Sequence, residues 1–384
     1  MAKQRKRIRI VIIIFLFVAY FAAAARPVPL ETILAPGWIS SLLVSQLQAD
    51  DSPDDDDSAL IISGAGFMPF TLGARFGYVN ESGQFALNKE RTGDIYLSEN
   101  LWTEYAAEPG KIEIFNTASQ TAVNIENTRG YPILLDSRIF LLGNEQNMLS
   151  EIDSGGGTLW TYEFGAPLTC VDVAAGLILT GSIDGVIEIL DSTGRRIFYF
   201  EPGGSRYAVI MGCAFSRNGS RIGIISGVDQ QRFLLLERYG SDGDYKVVYH
   251  EFLDTGFRRP VRILFIDDDK RLVFEHQGGI SCYNVKTRRV IKIPLEGEIA
   301  AIDNSGDNGF FFLINSISQQ RKELIGIKFP QDSWIPFLKT GRDMRDSIFI
   351  RAPFKSENYF LGRNGSMLIA GGGTALISFD LEEK

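Results

Sequence analysis

The side chains with most chemical potential in this chain are carboxylates at the ends of short apolar runs. Asp172, Asp184, Asp267 and Asp303 each fall at a strand end or a turn of the sequence pattern. Two acids about 5 to 9.5 Å apart around a pocket are the apparatus of glycoside hydrolysis, one protonating the leaving group while the other attacks or activates water. The same positions are those where Asp stabilises a turn by bonding its own backbone. With 47 acidic residues in the chain, spacing alone selects no pair, and a turn role is the expectation for all four.

The remaining reactive types point the same way. His250 (VVYHEFL) and His276 (VFEHQGG) are the two histidines and are isolated in strand-like runs. Two are too few for a multi-histidine metal centre and make His-based catalysis a poor reading; packing or edge roles are expected. Cys170, Cys213 and Cys282 lie far apart in LTCVDV, IMGCAF and ISCYNV, odd in number and without CxxC spacing. They read as small buried hydrophobes, not as a disulfide framework or a zinc site. Trp102, Trp160 and Trp334 fall in separate units and are expected to pack between them instead of forming a sugar platform. Asn80-Glu-Ser82, Asn218-Gly-Ser220 and Asn364-Gly-Ser366 match the glycosylation triplet, but two are ordinary Asn-Gly turns and none is given weight. No residue is assigned a catalytic, cofactor-binding or metal-ligating role, and no cofactor is expected.

The elements that would position these groups are repeated. NMLSEIDSGGGTLWTYEF (147–164) is echoed by VIEILDSTGRRIFYF (186–200): an apolar run ends in Asp, a Gly-containing turn follows, and a second apolar run begins. Seven such runs can be aligned: KIEIFN at Asn116, MLSEID at Asp153, VIEILD at Asp191, RFLLLE at Glu237, ISCYNV with Asn284, ELIGIK at Lys328 and ALISFD at Asp380. Their markers are separated by 37, 38, 46, 47, 44 and 52 positions. That spread is too loose for a solenoid of identical units and suits four-stranded propeller blades of about 40 to 45 residues with loop insertions. The clearest unit reads TCVDVAAG, LILTGSIDG, VIEILDSTG, RRIFYFEPG, four strand-length runs parted by glycine turns. A phosphate cradle would need a helix after the loop; each loop here leads into another strand, so the glycines are turn residues.

EIDSGGGTLWTYEF and GSIDGVIEILDSTGRRIFYF resemble the repeat of quinoprotein-like (PQQ-type) propellers, and CAFSRNGSRIGIIS resembles a WD40 blade. The resemblance covers residues 131–295. Catalytic quinoproteins would imply a calcium-bound cofactor and a vicinal disulfide; the chain is much shorter than those enzymes and has no adjacent cysteines, so quinone chemistry is set aside. Within the same group the BamB family of outer-membrane assembly lipoproteins is exported and non-enzymatic. This chain departs from that family in having no lipobox cysteine and seven apparent units instead of eight.

The amino terminus differs from the rest. Residues 1–9 carry five of the 39 basic residues and no acid. The uncharged run 10–25 would rise about 24 Å as a helix, slightly short of the ~30 Å hydrocarbon core. It reads as a single-pass inner-membrane anchor with a cytoplasmic head and an exported body, the alternative being a signal peptide cleaved near Ala25. Residues 26–58 read as a linker, with a short helix placing Ile39, Leu43 and Leu47 on one face and a solvated run of six aspartates between Asp50 and Asp57. Residues 59–384 are then an all-β, seven-bladed propeller of four-stranded antiparallel blades. Since only LEEK follows ALISFD, an N-terminal strand, Ile61–Phe70, is expected to complete the last blade and remove the open sheet edge.

Beyond residue 9 the chain carries 34 basic and 47 acidic side chains, a formal −13, which disfavours a nucleic-acid partner. The expected function is a membrane-tethered, non-enzymatic interaction scaffold for an envelope protein or polymer. The alternative is an exported hydrolase of a glycan or peptide using carboxylates at the channel mouth.

Overall fold

The computed structural model describes residues 13–15, 17, 20, 32–43, 66–108, 110–126, 128–240, 243–253, 256–303, 309–329 and 347–383. The chain divides into two compact units, Pro36–Asp380 and a small one made of Met1–Ala35 with Leu381–Lys384. In the small unit the described residues are a few helical ones before residue 21 and the terminal parts of two strands. Trp334, the aspartates 50–57 and most of the run 10–25 lie outside the described residues.

The large unit is an eight-bladed β-propeller. Its described strands form eight separate sheets, seven of four strands and one of three, and consecutive strands within a blade pair antiparallel. Blades 1 to 7 take residues 67–90, 94–126, 130–163, 168–200, 210–252, 263–294 and 298–355 in order; blade 8 takes 359–383 together with Thr32–Ser41. The expectation of seven blades is therefore corrected to eight. Each of the seven aligned runs is the third strand of a four-stranded sheet. The missed blade is the three-stranded one, Phe67–Leu72, Arg75–Asn80 and Phe85–Glu90, whose middle strand RFGYVN ends in Asn80, the counterpart of the Asn116 marker, but is too broken by Arg75 and Gly77 to read as an apolar run.

The strands form because their residues are β-branched, aliphatic or aromatic, and they stack because both faces are apolar. Alternate side chains of one strand serve different neighbours. In Arg232–Tyr239, Leu234 and Leu236 pack toward blade 4 with Ile187 and Ile189, while Phe233 and Leu235 pack toward blade 6 with Leu272 and Phe274. Val273, on the far face of blade 6, joins Phe311 and Ile325 of blade 7. The first strands of neighbouring blades touch one another and line the axis. Runs buried along their whole length, such as Ile210–Phe215 and Gly279–Asn284, are what a sheet covered on both sides requires.

Ring closure is made by Thr32–Ser41, which forms the outer strand of blade 8 beside Ala375–Glu383. Trp38 N donates to Ser378 Oγ at 2.8 Å, and Leu42 N to Thr374 O at 2.9 Å. The same segment reaches blade 1: Trp38 Nε1 donates to Glu81 O at 2.7 Å, and Ser40 Oγ to Gly83 O at 2.8 Å. Two expectations are corrected here. The segment is a strand and not a helix, so Leu42 is buried while Ile39 and Leu43 are 72% and 59% exposed. The described part of Ile61–Phe70 belongs to the first described strand of blade 1 and not to blade 8.

The single-pass inner-membrane placement is also corrected. Among the described residues no helix is long and apolar enough to cross a membrane.

The closure strand gives a direct test. Leu42 is packed among Phe70, Leu72, Val79, Ile369 and Leu376, residues of blades 1 and 8. Leu42→Ala is expected to lose about 3 kcal/mol of stability in urea denaturation, and Ile39→Ala within about 0.5 kcal/mol of none. Equal losses from the two would contradict the strand register.

Candidate functional site

A cavity of about 600 Å³ opens on the propeller axis, lined by residues of blades 1, 5, 6, 7 and 8 and by Glu99 of blade 2. Its polar wall comes from the ends of first strands and the turns after them: Arg217, Asp267 to Asp269, Asp303 and Arg363. Two of the four singled-out carboxylates, Asp267 and Asp303, thus share one cavity; Asp172 and Asp184 are not part of its lining.

Both shared carboxylates are ion-paired. Asp303 is fully buried and its Oδ2 lies 3.3 Å from Arg363 Nη1. That guanidinium also donates through Nε to Gly365 O at 2.9 Å and lies over the Phe312 ring. Asp267 Oδ2 accepts from Arg271 Nε at 3.2 Å, and its Oδ1 lies 3.7 Å from Lys270 Nζ. Asp267, Asp268 and Asp269 are all in the left-handed region, with φ of 54°, 50° and 62°, which Asp tolerates better than most residues. The turn is pinned to blade 5: Arg217 N donates to both Asp269 carboxylate oxygens at 3.0 Å, and Arg217 Nη1 bonds Asp268 at 3.3 Å. A retaining or inverting glycosidase needs one acid free to protonate a leaving group; here each is committed to a cation.

Asp172 accepts from Phe215 N at 2.6 Å and from Val173 N at 2.9 Å, tying blade 4 to blade 5. Burial pushes its carboxyl above the ordinary range, and those two N–H groups pull the other way. Asp184 accepts from Ser182 Oγ in its own turn. His250 is exposed and set edge-on to Phe252; His276 Nδ1 faces Gln277 O at 3.1 Å. Trp102 packs on Phe115 of its own blade and Phe76 of blade 1, and Trp160 lies under Gly194 of blade 4. Asn80 and Asn218 each accept a backbone N–H two residues on, from Ser82 and Ser220, as turn formers do. Among the described residues no group of three or more His, Cys, Asp or Glu side chains could hold a metal ion.

Sequence reasoning passed over two features. Glu275 sits fully buried between Arg259 Nη1 at 3.0 Å and Arg262 Nη1 at 2.9 Å; Arg262 continues to Ile299 O at 2.8 Å and so joins blades 6 and 7. A charged residue inside an apolar strand (RLVFEH) was the available signal. The second feature lies at the end of the propeller opposite the turns of Asp267 and Asp191. There the connection 201–209 presents Tyr207, the turn after Leu177–Ser182 presents Ile183, and blade 5 presents Phe252; they are 57%, 52% and 49% exposed. The segments carrying them are locked together. Arg232 donates to Pro202 O and Gly203 O and lies over Phe252, Ser205 Oγ bonds Asp229, and Ala208 O lies where a Cβ on Gly185 would be.

A closed ring of antiparallel blades around an axial cavity defines a β-propeller repeat protein. The chain belongs to the β-propeller protein family, whose model matches residues 1–383. A relative described as an uncharacterized protein from Treponema pallidum (strain Nichols) is 25% identical over 300 residues, 78% of each chain. Among solved structures, BamB from Moraxella catarrhalis aligns over 91% of this chain and 98% of its own with a TM-score of 0.56 and 13% identity. Saccharomyces cerevisiae Sqt1 aligns over 82% and 93% with a TM-score of 0.57 and 12% identity. At such identities these two likenesses are likenesses of fold.

Two outcomes follow for the carboxylates. Asp303→Ala leaves Arg363 buried without its ion-pair partner and is expected to lose about 3 to 5 kcal/mol, against about 0.5 kcal/mol for Asp184→Ala, both read by urea denaturation. Asp172 holds its proton more tightly folded than unfolded, so its contribution is fully present below its ordinary value of 3.8 and is lost as pH rises through the raised one. Asp172→Asn is therefore expected to flatten the fall of stability with rising pH above that value; an unchanged slope in urea midpoints would count against the assignment.

Proposed function

We propose that the protein is a non-enzymatic scaffold that binds a partner protein through the end of blades 4 and 5 carrying Ile183, Tyr207 and Phe252. One observation carries the reading: these apolar side chains are exposed on two connections and a strand end that are themselves fixed by Arg232, Asp229 and Gly185. Aromatic and arginine side chains on a preorganised backbone are the groups that dominate protein–protein binding, because little ordering entropy remains to be lost. Arg206 over Tyr207 and Arg232 over Phe252 supply the polar rim. The likeness in fold to BamB supports the same class of role.

The test pairs binding with turnover. The tagged full-length chain is used to capture a partner, which is identified and titrated against wild type and against Ile183→Glu/Tyr207→Glu. The double variant is expected to keep its circular dichroism and melting temperature and to weaken binding at least tenfold. Turnover of a glycan or peptide panel by wild type that disappears in Asp267→Asn, with binding indifferent to the double variant, would instead assign a hydrolase to the axial cavity.

A further inference from the structure

We propose that Cys170 and Cys213 form a reversible disulfide that staples blade 4 to blade 5 at the axis. The two thiols sit on the first strands of adjacent blades, Leu168–Ala174 and Ile210–Phe215, with Sγ atoms 2.8 Å apart; a bonded pair is at about 2.05 Å. The surrounding backbone is built to hold them there. Each strand carries a bulge just before its cysteine, between Leu168 and Cys170 and between Ile210 and Gly212, and a bulge re-aims the side chain that follows. Thr169 Oγ1 donates to Ile210 O at 2.6 Å on one side of the pair, and Phe215 N donates to Asp172 at 2.6 Å on the other. Gly181 lies opposite Cys170, and a Cβ there would come within 2.7 Å of Cys170 Sγ and 2.5 Å of the Ile210 side chain. The gap left by that glycine is filled by the sulfur.

The chemistry balances with a low-molecular-weight disulfide, such as oxidised glutathione, as electron acceptor. Cys170 is the partly exposed member and Cys213 the buried one. The Cys170 thiolate attacks one sulfur of the donor, its S–S bond breaks, and one thiol leaves. The Cys213 thiolate then attacks Cys170 Sγ, the mixed disulfide breaks, and a second thiol leaves. Two protein thiols become one disulfide and one small disulfide becomes two thiols, with no net gain or loss of protons or electrons. Burial and the neighbouring Cys170 push the Cys213 thiol up, which makes it the poorer first nucleophile; its attack on Cys170 is favoured instead by the 2.8 Å approach of the two sulfurs. Cys282 is left out: it is buried in blade 6, and burial pushes its thiol up to about 12.

The experiment equilibrates the full-length protein in dithiothreitol or in oxidised glutathione, then counts thiols after denaturation and measures intact mass. Of three cysteines, the reduced protein is expected to show all three thiols and the oxidised protein one, with loss of two hydrogens and a bridged Cys170–Cys213 peptide after digestion. Cys282→Ser is expected to oxidise in the same way, leaving no thiol. Cys213→Ser is expected to stop at one glutathione on Cys170, and Cys170→Ser to take none. Three thiols persisting in wild type under oxidised glutathione, or a bridge that includes Cys282, overturns the proposal. The wild-type result stands even if a serine variant fails to fold.

Discussion

Each blade has apolar side chains on both faces and nothing within itself to cover either one. Burying such a face contributes about 25 cal/mol per Å², a term realised only when the next blade is in place. Adjacent residues of one strand, Phe233 and Leu234, end up in different inter-blade clusters, so no blade is a stable body alone and no pair is complete. The ring follows from that requirement, since only closure gives the first and last blades a neighbour on both sides. The polar groups at the blade boundaries serve the same end: Asp172 to Phe215 N, Arg262 to Ile299 O and Asp303 to Arg363 each tie one blade to the next.

The closing contact reproduces an ordinary one. Gly194, in the last turn of blade 4, stands on Trp160 in the outer strand of blade 3; a Cβ there would lie 2.4 Å from the ring. Gly83, in the last turn of blade 1, stands on Trp38 in the outer strand of blade 8 at 2.6 Å in the same sense. Both glycines are in the left-handed region, with φ of 77° and 80°, where an L side chain is strained. The strand Thr32–Ser41 therefore supplies blade 8 with its outer edge.

Much of this was legible in the sequence. Period-two apolar runs parted by glycine turns gave the propeller, and every aligned run proved to be a third strand. The eighth blade was legible too, but through turn chemistry instead of strand composition. Asn80, Asn116, Asp153 and Asp191 follow at intervals of 36, 37 and 38 residues. In each the side chain accepts from the N–H four residues on, and the residue's own N–H donates to the carbonyl there. Read only as a glycosylation triplet, NESG hid a turn equivalent to DSTG. The segment around Trp38 was misjudged because Ile39, Leu43 and Leu47 fit a helical period, whereas Trp38, Ser40 and Leu42 fit a strand and are the residues that pack. The thiol pair was invisible for a different reason: Cys170 and Cys213 are 43 positions apart, and only blade stacking makes them neighbours. The sharing of one cavity by Asp267 and Asp303 likewise depends on ring geometry that no local pattern encodes.

The bond from Trp38 N to Ser378 Oγ spans 340 positions of chain. During synthesis on the ribosome the strand Thr32–Ser41 emerges long before its partner, Ala375–Glu383, is made. Blades 2 to 7 are each assembled from contiguous chain and can stack in order of emergence, but the outer edge of blade 8 stays unfilled until elongation has passed residue 378. Such a long-range contact is entropically expensive and slow to form. In the interval the nascent chain carries an unpaired strand edge and an uncovered apolar face, the features that make partly folded chains clients of chaperones.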